Sequence, residues 1–268
     1  MLQRAVLAVL DAVGQAPGLW DRYVVKGGLA LRYAYGSPRR TPDLDFNTVR
    51  GFAETLPPDR LDVLHAFCDR LEEGLAQVAP RYGFARLVVQ FREFLSDYPV
   101  IYVRVGYTHV PGRMPPYDDY VELQATLGAQ ICETRPAEVE GLPVRVPVLE
   151  DILADKLKVL LEQPHRGTYR ASDLFDLWYG ATRLGGAFDR AKVGRYLREK
   201  YPASADLPLL TKAAYRDPSV RAHAAEHFDA LREQLPPAFA MPSVDEALAA
   251  VHRLVDALDL PERSPEAA

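Results

Sequence analysis

Two aspartates separated by one residue, Asp43 and Asp45, carry the strongest chemical signal in the sequence. They lie in a segment that alternates polar and apolar residues, which is the pattern of a strand with one buried face. Because side chains i and i+2 of a strand point to the same face, both carboxylates project together. Like charges this close repel each other, and a cation such as Mg²⁺, which prefers oxygen ligands, relieves the repulsion. The pattern therefore indicates a metal site, and it also fits the exposed polar face of an edge strand.

A second group of residues suited to ligand binding is Lys26-Gly27-Gly28, between a short apolar run and a short helical pattern. Two glycines let the backbone approach a ligand closely, and the N-terminus of the helix that follows favours an anion such as phosphate. A tight strand-to-helix turn is the alternative interpretation. Followed by the aspartate pair on the next strand, these residues would place a phosphate cradle beside a metal site.

A third carboxylate, Glu122, stands on the polar face of the strand pattern at 119–125. A two-metal site for phosphoryl transfer needs a further carboxylate of this kind. Glu122 is also suited to act as the base for an attacking hydroxyl group. A solvated strand residue is the alternative.

Lys156 lies near the middle of the apolar stripe of the helix predicted at 149–163, whereas Lys158 lies on its polar side. A lysine on the core side of a helix is costly unless it meets an anion, either a triphosphate or a carboxylate. Alternatively, the Lys156 side chain extends past the apolar stripe and places its ammonium group in water. We expect Lys156→Met to be tolerated in packing but to weaken the use of a nucleotide strongly.

Asp173 and Asp176 share one face of the next predicted helix. They can orient Lys156 through an ion pair or contact substrate, and an acidic first turn that matches the helix dipole is the alternative. Basic residues precede the aspartate pair and gather near the end of a later helix, which suggests a local patch for a nucleic-acid backbone or a solvated helix face. They are Arg39, Arg40, Lys192, Arg195, Arg198 and Lys200.

The elements that must position these residues are mixed helices and strands up to about residue 148 and mostly helices afterwards. Helices are predicted over 1–16, 29–35, 59–79, 149–163, 170–184, 187–199, 211–233 and 243–258. Strands are predicted over 23–25, 41–47, 84–95, 100–107, 120–125 and 144–148, with a turn at 96–99. We therefore expect an α/β core over 1–148 and a helical region over 149–268 that completes the cleft of the site.

Composition excludes several classes of protein. The 268 residues include 32 Lys and Arg against 37 Asp and Glu, a net charge of −5, which argues against a broad basic surface for nucleic acid. Two cysteines cannot form a disulfide framework, and no apolar run is long enough to span a membrane. The sequence contains no Walker A motif, no nucleophile elbow and no zinc-protease histidine pair.

Four segments occur in the order Lys26–Leu31, Arg40–Phe46, Ala154–Leu157 and Arg170–Leu177. Together they resemble the AbiEii/AbiGii-type nucleotidyltransferase toxins, which include the MenT-type toxins and belong to the DNA polymerase β-like nucleotidyltransferase superfamily. The resemblance covers residues 20–180. It implies an α+β fold, with a polymerase β-like core containing a mixed sheet, followed by a helical C-terminal region.

The same resemblance implies roles for individual residues. Asp43 and Asp45 would be metal ligands with Glu122 as the third, and Lys156 would contact the nucleotide phosphates. The implied catalytic set is Asp43, Asp45, Glu122, Lys156 and Asp173, and the implied nucleotide-binding set is Lys26, Gly27, Gly28, Arg40, Thr41 and Lys156. In some members of this family, an antitoxin phosphorylates the hydroxyl that corresponds to Thr41.

These implications predict a Mg²⁺-dependent, cytoplasmic toxin of a toxin–antitoxin pair. It would transfer a nucleoside monophosphate from an NTP to the 3′ end of tRNA and so block translation, and it would have a cognate antitoxin and no membrane partner. One alternative is an enzyme that modifies a protein hydroxyl group. A second is a catalytically degenerate module that binds a nucleotide or the antitoxin.

Overall fold

The structure, a computed structural model, describes residues 2–41, 43–49, 55–57, 59–95, 99–128, 131–201, 207 and 209–263. Pro42, in the second motif, and residues 96–98 of the predicted turn lie outside these ranges. The chain forms two compact units. Unit 1 comprises Met1–Ala34 and Thr41–Pro147, and unit 2 comprises Tyr35–Arg40 and Val148–Ala268.

A five-stranded mixed sheet is the main feature of unit 1. Its strands are β1 (Tyr23–Val25), β2 (Leu44–Thr48), β3 (Arg86–Leu95), β4 (Val100–Thr108) and β5 (Tyr120–Thr126). Their order is β1-β2-β5-β4-β3, with β2 parallel to β5 and all other neighbours antiparallel. The mixed sheet predicted from the sequence is confirmed.

One face of this sheet is apolar because alternate residues of its strands are apolar. Leu44 and Phe46 of β2 and Leu123 of β5 are buried on this face. The helices of unit 1 are α1 (Leu2–Gln15), α2 (Gly27–Tyr35) and α3 (Arg60–Val78). Helix α1 packs against β5, and α3 packs against β3. A slip of one residue in β2 would move Asp45 to the apolar face, so core burial specifies which face carries the carboxylates.

A hairpin that the sequence analysis only half predicted completes unit 1. It pairs β6 (Thr134–Val139) with β7 (Leu142–Pro147), and β7 packs against β1. Both turn residues, Glu140 and Gly141, have positive φ angles of 51° and 81°, as a two-residue hairpin turn requires. The strand β6 was missed because Glu-Gly is a weaker turn signal than Asn-Gly and because Pro136 interrupts the strand pattern.

Unit 2 is helical, in agreement with the sequence prediction. Its helices are α4 (Leu149–Arg166), α5 (Ala171–Arg183), α6 (Arg190–Lys200), α7 (Pro218–Ala225) and α8 (Val244–Asp256). Helix α4 packs against α5, α6 and α7, and α5 packs against α8. Several polar residues of α4 and α5 are buried inside the unit, among them Lys156, Asp173 and Asp176.

The single helix predicted over 211–233 is wrong. The structure has a 3₁₀ turn at Ala214–Arg216, then α7, then a 3₁₀ helix at Phe228–Gln234. Pro218 can only begin a helix, because its ring occupies the space of the preceding turn. His227 has a φ of 60°, which ends the right-handed helical path before the second 3₁₀ segment.

No helix in the described ranges is both long and apolar enough to span a membrane.

Candidate active site

The polar face of the sheet carries the predicted carboxylates of unit 1. The strand register aligns Asp45 of β2 with Gln124 of β5, and Gln124 with Tyr102 of β4. Asp43 comes immediately before β2 and is exposed, whereas Asp45 is half-buried. The strand predicted from residue 41 therefore begins later, at Leu44, and only Asp45 of the pair is a strand residue.

Gly27 lies directly against the Asp45 carboxylate. Helix α2 begins at Gly27, which has a φ of +65°, and a Cβ atom there would stand 2.7 Å from Oδ2 of Asp45. The position therefore needs glycine for two reasons, the left-handed backbone and the close approach. The glycine pair thus lies next to the aspartate strand, as its position in the chain predicted. Gly28, the second glycine, is buried.

Replacement of Gly27 tests the close approach separately from the backbone conformation. We expect Gly27→Ala to displace the Asp45 carboxylate and lower nucleotidyl transfer at least tenfold, about 1.4 kcal/mol in the barrier. Gly83 is a matched control, because its φ is +70° and its added Cβ would meet nothing within 4 Å. Gly83→Ala should share the backbone cost of about 1–2 kcal/mol and keep full activity. Equal losses of activity in the two variants would contradict a specific role for the approach to Asp45.

Lys26 is tied to the same face of the sheet. Its backbone N–H donates to the Asp45 carbonyl at 2.8 Å, and its Nζ donates to Oγ1 of Thr126 on β5 at 3.0 Å. Asn47 lies two residues beyond Asp45 and is buried, and its Oδ1 has no hydrogen-bond partner among the residues described. A buried polar atom without a partner is unusual and is typical of ligand-binding regions.

Glu122 forms an ion pair with Arg104 on the adjacent strand. Its Oε1 accepts a short hydrogen bond from the Tyr102 hydroxyl and lies 3.4 Å from Nη2 of Arg104 on β4. In the described parts of the chain, no three His, Cys, Asp or Glu side chains lie close enough together to hold a metal ion. The structure thus brings Gly27 and Asp45 together and places the predicted third carboxylate in a pair with Arg104.

Lys156 lies in a buried ion network inside unit 2. Its Nζ is 2.8 Å from Oδ1 of Asp173 and 2.7 Å from Oδ2 of Asp176. The side chain of Lys156 is 9% exposed and that of Asp176 is fully buried. Lys156 therefore does not extend to water, and the ion-pair role predicted for the two aspartates is confirmed. Gln163 also donates to Asp173, at 3.4 Å.

The fourth member of this network, Arg39, was missed as a site residue by the sequence analysis. Its Nε and Nη2 donate to the two oxygens of Asp176 at 3.0 and 2.8 Å, and its Nη1 donates to Gln234 at 3.1 Å. Two acids and two bases are thus buried together with balanced charge. An arginine immediately before the aspartate motif was the available signal, but its partner stands 137 positions away in the chain.

The network shifts the pKa values of Lys156 and Asp176 away from neutrality. Burial alone would raise the pKa of Asp176, but the charges and hydrogen bonds of Lys156 and Arg39 outweigh it and hold that pKa below 3.8. Burial alone would lower the pKa of Lys156, but Asp173 and Asp176 outweigh it and raise that pKa above 10.5. Lys156 and Asp176 therefore stay charged at neutral pH.

A pH dependence of stability follows from these directions. The depressed pKa of Asp176 contributes stability above pH 3.8, and this contribution is lost as the pH falls through the folded-state value. The raised pKa of Lys156 contributes stability below pH 10.5 that is lost at higher pH. Urea unfolding of the wild type and Asp176→Asn should therefore differ most at neutral pH, and the difference should shrink below about pH 4. A difference that stays constant into strong acid would contradict the ion pair.

Three further residues singled out in the sequence, Arg40, Thr41 and Lys200, lie outside both of these groups. Arg40 is exposed, and its backbone N–H donates to the Gln234 carbonyl at 2.7 Å, while Thr41 is half-buried. Lys200 is removed from the predicted basic patch, because its buried Nζ pairs with Asp151 and, at 2.9 Å, with Asp155. The side chain of Lys200 is only 2% exposed, so its charge is not presented to solvent as a surface patch requires.

Comparison with known proteins identifies the family. The family model described as "Nucleotidyl transferase AbiEii toxin, Type IV TA system" matches residues 9–250. The chain belongs to the AbiEii family of nucleotidyltransferase toxins. Membership in this toxin–antitoxin family implies an NTP substrate and an antitoxin partner.

A solved nucleotidyltransferase toxin has a similar fold. MenT4, a nucleotidyltransferase toxin from Mycobacterium tuberculosis H37Rv, is 20% identical, with a TM-score of 0.55 over 96% of this chain and 84% of that chain. An antigenic nucleotidyltransferase-like protein from Paracoccidioides brasiliensis is 16% identical over 92% of each chain, with a TM-score of 0.37. No curated protein sequence matches this chain.

The AbiEii family generally uses divalent metal ions, and the oxygen donors of unit 1 fit one. Mg²⁺ is usually held by one or two carboxylates together with waters and substrate phosphates, so a cluster of three carboxylates is not required. Asp43 and Asp45 provide two carboxylates, and the backbone at Gly27 leaves no side chain against Asp45.

Proposed function

We propose that this AbiEii protein transfers a nucleoside monophosphate from an NTP to the 3′ end of tRNA, with Mg²⁺ held by Asp43 and Asp45. The observation that carries the proposal is the contact of Gly27 with Asp45, where a Cβ would lie 2.7 Å from the carboxylate. A helix N-terminus and a carboxylate at one point suit a metal–triphosphate complex, because the helix end favours phosphate and the carboxylate favours the metal.

The residues of unit 1 have separate tasks in this reaction. Gly27 and Gly28 offer backbone to the triphosphate, and Lys26 places a positive charge beside the aspartate strand. The 3′ hydroxyl oxygen forms a bond to the α-phosphorus while the bond to the bridging oxygen breaks. Pyrophosphate leaves, and the hydroxyl proton passes to water. When bound, Mg²⁺ stabilises the charge that develops on the phosphate oxygens.

For Lys156, Asp173, Arg40 and Thr41, we propose the roles that the family resemblance implies. Lys156 offsets the charge of the nucleotide phosphates, and Asp173 and Asp176 keep its ammonium group charged and fixed in position. Arg40 and Thr41 belong to the nucleotide-binding set, and Thr41 is the candidate site for phosphorylation by an antitoxin. The balanced charge of the buried network supports a positioning task for Asp176 and Arg39.

A transfer assay distinguishes tRNA from the other acceptors. The protein would be incubated with Mg²⁺, each labelled NTP in turn, total tRNA and cytoplasmic protein. Label on tRNA supports the proposal if it does not appear on tRNA whose 3′ end has been oxidised with periodate before the reaction. Label on protein would instead indicate an enzyme that modifies protein hydroxyl groups. NTP binding without any transfer identifies the degenerate module, and either of these two results contradicts transfer to tRNA.

A further inference from the structure

The polar face of the sheet carries an unusual group of π-surfaces next to the aspartate strand. The guanidinium carbon of Arg104 lies 4.6 Å from the centre of the Tyr120 ring and 5.6 Å from that of Tyr102. It also lies 5.8 Å from the ring centre of Phe91, which itself is 5.8 Å from the ring of Tyr102. These four side chains, hereafter the stacking surface, span β5, β4 and β3.

Hydrogen bonds hold Arg104 in a defined orientation. Its Nε donates to the Tyr102 hydroxyl at 2.9 Å, that hydroxyl donates to Glu122, and Nη2 of Arg104 lies 3.4 Å from the same carboxylate oxygen. Burial, and then the hydrogen bond to Glu122, raise the pKa of Tyr102, so its hydroxyl remains a donor. A planar cation fixed at its edge offers a preorganised face for stacking.

The stacking surface is partly exposed to solvent. Phe91 is 38% exposed, although it is a large aromatic residue, and Tyr102, Arg104 and Tyr120 are half-buried. Glu122 compensates the charge of Arg104, so the surface is better suited to uncharged flat rings than to phosphate groups. Nucleobases stack on aromatic rings and on guanidinium planes, and adjacent strands of an open sheet can bind successive bases of single-stranded RNA.

The extent of the surface distinguishes an RNA strand from the single base of an NTP. Neighbouring strands are about 4.8 Å apart, so π-groups on three successive strands extend over roughly 10 Å. One base covers only part of this length. We propose that the stacking surface binds unpaired nucleobases at the 3′ end of the RNA acceptor, and that Glu122 is a positioning residue for Arg104. This inference rests on the proposed function.

Direct RNA binding tests the inference without requiring transfer. Two labelled probes would be used, a hairpin RNA with a short single-stranded 3′ tail and the same hairpin without the tail. We expect Arg104→Lys, which keeps the charge but loses the planar face, to raise the Kd for the tailed hairpin about tenfold, within the range for the loss of one stacked base. Binding of Mg²⁺–NTP and of the hairpin without a tail should change less than twofold.

Two further variants make the test specific. Arg86→Lys is the matched control, because Arg86 is an exposed arginine of β3 outside the stacking surface, and it should bind the tailed hairpin like the wild type. Glu122→Gln should weaken binding of the tailed hairpin while the Mg²⁺ concentration for half-maximal NTP binding stays unchanged. A shifted Mg²⁺ requirement without weaker RNA binding would overturn the positioning role and favour metal ligation.

The outcomes separate this inference from the proposed function. Wild-type affinity for the tailed hairpin in Arg104→Lys overturns the stacking surface, even if the wild type labels tRNA. Weaker NTP binding with unchanged RNA binding also overturns it, since the surface would then receive the base of the NTP. A tenfold weaker binding of the tailed hairpin supports the stacking surface even if no label reaches tRNA, which would contradict the proposed function alone.

Discussion

Asp45→Asn is expected to abolish nucleotidyl transfer while leaving the fold intact. The amide keeps the shape of the carboxylate beside Gly27 but loses the negative charge that a divalent cation requires. Loss of several kcal/mol of transition-state stabilisation corresponds to a fall of about a thousandfold in kcat/KM. The measurement is label transfer from NTP at saturating Mg²⁺, with circular dichroism and thermal unfolding recorded on the same sample.

Asp69→Asn provides the matched control for this prediction. Asp69 is an exposed aspartate of α3, on the side of the sheet opposite the carboxylates, so its loss removes the same charge from a remote position. It should leave both transfer and unfolding unchanged. If Asp45→Asn retained more than a tenth of the wild-type activity, the assignment of the metal to the aspartate pair would be wrong.

Lys156→Met is expected to destabilise unit 2 as well as to reduce transfer. This revises the expectation from the sequence that Met is tolerated there, because the ammonium group is buried between Asp173 and Asp176. Removal of one partner from a buried ion pair leaves uncompensated charge and costs about 3–5 kcal/mol. Chemical denaturation should show this loss directly, and transfer should be measured well below the shifted unfolding midpoint.

Two variants test whether charge is the cause. Lys158→Met changes the half-buried lysine two positions away, whose Nζ is 4.0 Å from Glu162, and should alter stability by less than about 0.5 kcal/mol. The double variant Lys156→Met/Asp173→Asn leaves Asp176 paired with Arg39 and should recover part of the loss. If the double variant were no more stable than the single one, the loss would come from packing and not from unbalanced charge.

The secondary structure was predictable wherever periodic apolar residues and clear stop signals coincided. Helix α3 was predicted within one residue at each end, because Asp59 caps its start and Pro80 follows its end. Prediction failed where a local backbone conformation interrupts a helical pattern, as at His227, and where a hairpin uses an atypical turn, as at Glu140. Both failures depend on positive φ angles at residues other than glycine, which sequence patterns seldom reveal.

The candidate site was predictable in its residue types and less so in its partners. Asp45 and Gly27 were identified from short motifs, since local spacing and backbone freedom are properties of neighbouring residues. The pairing of Glu122 with Arg104 and the pairing of Asp176 with Arg39 were not identified, because strand pairing and packing within unit 2 bring these arginines to them. Such contacts join residues that are remote in the chain.

The sequence by itself was enough to identify the aspartate pair, the glycine turn and the mixed α/β core, and to indicate the family that these features resemble. Strand periodicity placed Asp45 and Glu122 on the polar side of the sheet, because apolar neighbours take the other side. Only the tertiary structure decided which arginines complete these charge groups. It paired Glu122 with Arg104 and Asp176 with Arg39, because a buried or half-buried charge takes the counter-charge that the packed elements bring within reach.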